Sequence, residues 1–169
     1  MNYSEAIRNR LDKEARYRRL LFPRAYIFTD AEIEDTEQYP FYEDWNEYRF
    51  GNYKLLVHAP AKAYSSQSGE ICAVLIGHAY NPYNGQIYEH EIVQELAEAY
   101  RCGEVAFYDK LDQLTGVFVV LVVSNHEIIA VQDCGGQKML YFGKINDSVV
   151  VSSCPQLVDD IFKLTPNPA

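Results

Sequence analysis

Apolar residues recur along this chain at two spacings, and the spacings mark out the elements. Ile7, Leu11, Ala15 and Leu20 form a thin stripe at helical intervals. They predict a helix over 3–21, capped by Ser4 and stopped by Pro23. Residues 25–29 (AYIFT) predict a first strand. Residues 30–47 are acidic and aromatic without a period, and read as a loop with room for a short helix. Residues 53–58 (YKLLVH) and 71–76 (ICAVLI) predict two more strands, joined by a Pro-, Ser- and Gly-bearing turn region over 59–70. After the tight-turn pair Asn84-Gly85, a helix is predicted from Ile92, Val93, Leu96, Ala97 and Tyr100, with Gly103 just past its end.

The last third is the most legible. Residues 117–123 (VFVVLVV) are apolar at every position, so this strand is covered on both faces. Strands over 128–131, 139–142 and 149–152 follow, with turns at 124–127, 133–136 and 145–148. This predicts an antiparallel meander. A final helix opens at Pro155, capped by Ser153 or Cys154, and carries Leu157, Val158, Ile161 and Phe162.

Composition narrows the class of function. The 169 residues suit one globular domain, 48% hydrophobic and 23% charged. A net charge of -9 argues against nucleic acid, whose phosphates draw on clustered cations. Residues 1–24 run the other way, with seven cations against three anions. That leader reads as a solvated helix face, or as a surface that docks on an acidic partner. Cys72, Cys102, Cys134 and Cys154 are too far apart for a metal clip. His58, His78, His90 and His126 are scattered, so no metal and no cofactor is expected. No signal core or membrane-length apolar run occurs, and a cytoplasmic protein with reduced thiols is expected.

The order of several segments carries a resemblance. Leu114-x-Gly116-x-Phe118 opens the buried strand. Asp133-x-x-Gly136-x-Lys138-x-Leu140-Tyr141-Phe142 comes next, then Val149-Val-Val-Ser-Ser153 and Leu157. Upstream lies Leu75-Ile-Gly77-His-Ala-Tyr80-Asn81. Over about residues 50–163 the chain resembles the class II glutamine amidotransferase domain of asparagine synthetases. That resemblance implies an α+β, N-terminal nucleophile hydrolase-like fold: a four-layer sandwich of two antiparallel β-sheets with flanking helices. It implies a basic helical extension over 1–24 and an amidotransferase-like domain over 25–165. Gly116, Asp133, Gly136 and Lys138 match the motif's fold-making positions. Asp133 is expected to cap a hairpin turn and Gly136 to take the left-handed conformation.

The family's chemistry starts from an N-terminal cysteine whose own amine is the base. Donors from an Asn-Gly pair receive the developing oxyanion, and an Arg-Gly-Pro segment helps hold the substrate. Here the chain starts Met1-Asn2, Ile76 replaces the oxyanion Asn, and no Arg-Gly-Pro occurs. Asp109 or Glu104 would stand near the amine-binding carboxylate. No catalytic residue is therefore assigned. Gly77, His78, Tyr80 and Asn81 are expected to line a vestigial pocket, and the cluster Tyr80, Tyr83 and Tyr88 reads as a cover for the core edge, a ligand-stacking surface or a domain-docking surface. The function implied is a degenerate glutaminase-like domain that docks with or regulates a synthetase domain of the ATP-pyrophosphatase type, in cis or trans, or forms a homodimer. The alternative is an active amidotransferase releasing ammonia from glutamine for amide formation. A third reading is a binding module reusing the old pocket.

Overall fold

The longest unbroken apolar run forms a central strand, and the two most polar strands lie at sheet edges. The computed structural model describes residues 3–14, 16, 17, 21–33, 40, 41, 44–125 and 127–164. Among these lie nine strands and four α-helices, and the strands form two antiparallel sheets. The fold is α+β. The chain divides into two compact units, residues 1–61 with 141–169, and residues 62–140.

The first unit holds helix α1 (Tyr3–Lys13) and strands β1 (Tyr26–Thr29), β2 (Trp45–Phe50) and β3 (Tyr53–His58). Its C-terminal part adds β8 (Tyr141–Ile145), β9 (Ser148–Ser152) and helix α4 (Pro155–Phe162). The sheet order is β2-β3-β1-β9-β8. Ile27, Leu56 and Val150 on one face of the sheet cluster with Leu157 of α4. Fully burying each such side chain stabilises the fold by about 1.5–3 kcal/mol.

The second unit orders β4 (Ala63–Ser68), β5 (Ile71–Tyr80), β6 (Thr115–Val123) and β7 (Ile128–Gln132) in sequence across its sheet. Helices α2 (Glu89–Cys102) and α3 (Glu104–Leu111) join them. Ile92, Val93, Leu96 and Phe107 from the helices cluster with Ala73, Leu75, Val120 and Val122 from the sheet. Residues 118–123 of β6 are all buried, as their unbroken apolar run requires.

Several expectations change. Helix α1 ends at Lys13, not at residue 21, because the apolar stripe thins to Ala15 and Leu20 within a basic run; residues 18–20 and the Ser4 side chain lie outside what is described. Two polar strands, β2 and β4, occupy stretches read as loop and turn. Helix α3 follows Gly103 directly. The predicted meander does not form: β7 and β8 belong to different sheets, and the segment through Asp133 links them instead of closing a hairpin. The N-cap of α4 is Cys154, without a side-chain cap bond. Its N–H goes to Ser152 Oγ (3.1 Å), while Ser153 Oγ accepts the Tyr26 N–H (3.0 Å). No described helix is long and apolar enough to cross a membrane.

Candidate functional site

The pocket residues predicted from sequence all lie at one end of the β5–β6 pair, in the second unit. Gly77 and Gly116 shape that end. They sit two register positions apart, Gly77 opposite Phe118 and Gly116 opposite Ala79. Both have positive φ, 112° and 140°. A Cβ on Gly77 would fall 2.3 Å from the Val117 carbonyl oxygen, and one on Gly116 would fall 2.2 Å from that of His78. Each glycine thus admits the other strand's backbone, an approach that no side chain permits.

Beyond this point the strand turns its side chains outward. His78 and Tyr80 are exposed, while Ala79 between them is buried. His78 Nδ1 lies 2.8 Å from Glu89 Oε1 in the first turn of α2. A carboxylate only accepts, so the imidazole N–H donates and Nε2 faces away from the pair. Glu89 also acts on Tyr64, whose phenol is pushed up first by burial and then by this carboxylate. A His–carboxylate dyad can hold a proton for general-base work. Among the described residues no hydroxyl or thiol is hydrogen-bonded to His78, so the dyad has no nucleophile to activate.

Asn81 does not line an open pocket. It is buried, and both ends of its side-chain amide are hydrogen-bonded. Nδ2 donates to Gln113 Oε1 (3.2 Å) and Oδ1 accepts the Tyr83 N–H (2.9 Å). Its backbone pairs with Gln86, and its carbonyl accepts the Gly85 N–H (2.9 Å). The Asn84-Gly85 turn is closed by Asn84 Oδ1, which accepts the Gln86 N–H (2.9 Å). Asn81 therefore clamps the loop that carries Tyr83 and Tyr88, both well exposed.

The Gly77 amide is also spent. Its N–H donates to the Lys62 carbonyl oxygen at 3.1 Å, and the preceding Ile76 is fully buried. Neither position offers a free donor for an oxyanion. Cys72, on the same strand, is half-buried, and burial pushes its thiol up to about 11. Such a thiol carries almost no thiolate at neutral pH.

Asp133 organises the link between the sheets. Its Oδ1 accepts the N–H groups of Gly135 (3.1 Å) and Gln137 (3.0 Å), and Oδ2 accepts that of Lys138 (2.8 Å). The Gly136 N–H returns to its carbonyl (2.8 Å), with Gly136 at φ +60° as the motif predicts. Burial alone would raise this carboxyl, but the backbone donors outweigh it and hold the group below its ordinary value. Lys138 enters the motif through its backbone amide.

Sequence reasoning missed Glu89 and Gln113, the partners that fix His78 and Asn81. It also missed buried His58, whose Nδ1 accepts the Arg24 N–H at 3.0 Å. The one available signal was position: an acidic residue in a helix's first turn, a loop's length back from an exposed strand end. Asp109 and Glu104 lie on α3; the residues described form no cluster of three or more His, Cys, Asp or Glu able to hold a metal ion. No protein-family model matches the chain, and no curated protein matches it.

Proposed function

We propose that the chain is a catalytically degenerate glutaminase-like domain of an asparagine synthetase-like protein, acting as a docking or regulatory module for a synthetase domain. One observation carries the degenerate part: the Gly77 N–H is bonded to Lys62, and its neighbour is the buried, donorless Ile76. Losing a single oxyanion donor costs about 10²–10³ in rate. The raised Cys72 thiol adds support, because glutaminase chemistry of this type needs a thiolate. The kinship rests on the ordered motifs. Two antiparallel sheets with helices suit it, and their assembly into a four-layer sandwich is part of the proposal. So is a cytoplasmic location, which four free thiols support.

The test is direct. Purified protein is incubated with L-glutamine, glutamate and ammonia are quantified, and intact mass is read after a thiol-reactive glutamine analogue. No release above buffer and no adduct are expected. Steady glutamate release, or an adduct on any cysteine, overturns the degenerate reading in favour of an active amidotransferase. For docking, an ATP-pyrophosphatase-type synthetase domain is titrated into the protein in a calorimeter. Saturable binding is expected, and a flat titration removes the docking role.

A further inference from the structure

The two sheets leave four edge strands, β2, β4, β7 and β8, and natural proteins blunt such edges to prevent strand pairing between molecules. Three are blunted here. On β2, Glu47 pairs with Arg49 at 2.8 Å and with Lys54 of β3 at 3.8 Å. On β4 the residues are mostly serine and glutamine. Residues 128–131 of β7 are half-buried. Strand β8 differs. Four of its five residues are exposed, including two aromatics, Tyr141 at 45% and Phe142 at 83%. A Cβ built on Gly143 meets nothing within 4 Å. Across the sheet, Phe142 continues a row through Val151, Phe28 and Leu55. Those three are buried, and the row ends on a bare phenyl ring.

We infer that β8 is a self-association edge, pairing antiparallel with β8 of a second copy of this chain to join two five-stranded sheets. The strand is its own complement. Centred on Gly143, the pairing sets Phe142 opposite Lys144 of the second copy, twice, and Tyr141 opposite Ile145, twice. Directly opposed residues share a face of the sheet. Each ammonium then meets an aromatic ring, and each tyrosine meets a branched aliphatic chain. Centring on Lys144 instead would oppose two like charges. Centring on Phe142 would pair only three of the five strand residues. Gly143 is the one centre that uses the whole strand and separates the cations. The result is an isologous two-fold contact, closed by symmetry. It uses the first unit alone and stands apart from the glutaminase-like reading.

Sedimentation velocity of the full chain tests this, over about 1–200 µM, the range suited to a modest interface. The wild type should pass reversibly from monomer to dimer. Phe142→Lys puts lysine opposite Lys144 and should weaken the dimer at least about tenfold, since like charges across an interface repel. The swap F142K/K144F restores ring opposite cation and should return the affinity to within about threefold of wild type, as a coupled pair requires. Gly143→Asp opposes two carboxylates at the centre and should weaken the dimer by at least about tenfold as well. All three substituted positions are exposed, and circular dichroism confirms folding. Should F142K unfold, G143D decides. A wild type monomeric throughout, a folded F142K or G143D that dimerises unchanged, or a swap that fails to restore affinity overturns the inference.

Discussion

Asp133 shows how much one side chain can settle. Its carboxylate gathers three backbone N–H groups that the sharp course of residues 133–138 leaves without strand partners. Asp133→Asn keeps the shape but turns one acceptor oxygen into a donor facing a donor. Hydrogen bonds to a charged group contribute about 1.5–3 kcal/mol, so urea denaturation should show a loss of that size. An unchanged midpoint would mean that the loop holds itself. Gly77 is a second such position. Gly77→Ala forces a methyl group to within 2.3 Å of the Val117 carbonyl oxygen and must displace backbone. Overpacking costs about 1–3 kcal/mol, and the upper end is expected here, read by the same denaturation. Asp133 stood out in the sequence because its chemistry is local; Gly77 stood out through the family resemblance, and its constraint, the Val117 carbonyl oxygen, lies on a strand that only the folded chain brings near. His78 and Asn81 stood out too, but their roles did not, because those depend on Glu89 and Gln113, residues that only the folded chain brings near.

Elements were legible where burial dictates composition. Strands β1, β3, β5, β6 and β9, and helices α2 and α4, follow from apolar runs or helical stripes with buried residues, and β7 from an apolar run that is half-buried. Strands β2 and β4 were not, because an edge strand exposes one margin to water and tolerates Glu, Arg, Ser and Gln. Helix α3 escaped for a related reason: Phe107 is its one buried residue, and Val105 is exposed. Connectivity was the harder error. Apolar runs separated by turns look alike whether the next strand pairs with its predecessor or joins another sheet. The β8–β9 connection, by contrast, has a local signature. Asn146 and Asp147 both take positive φ, 46° and 71°, as the tightest hairpin turns require. Asp147→Gly gives the second position the residue that turn favours. Relief of left-handed strain, offset by a more flexible unfolded chain, should raise stability by about 0.5 kcal/mol. A lower melting temperature for this variant would argue that the Asp147 carboxylate contributes more than the strain costs.

At the scale of the whole molecule, each compact unit buries a described group whose proton affinity is lowered on folding, and the two titrate in different ranges. In the first, His58 is held below its ordinary 6.5, chiefly by burial, with the Asp44 carboxylate partly opposing. In the second, Asp133 is held below its ordinary 3.8 by its backbone donors. The sign is the same for both. A group depressed on folding binds protons more readily in the unfolded chain, so its contribution is complete above the unfolded value and is lost as pH falls towards the folded one. His58 therefore begins to withdraw stability below about pH 6.5, and Asp133 below about pH 3.8. Melting temperatures taken by circular dichroism from neutral to acid pH should decline in two stages. Asn places an amide oxygen where His58 Nδ1 accepts the Arg24 N–H, without a titrating ring. His58→Asn should flatten the first stage and leave the second, whereas Asp133→Asn should flatten the second and leave the first. A first stage that survives His58→Asn would mean that His58 is not its source.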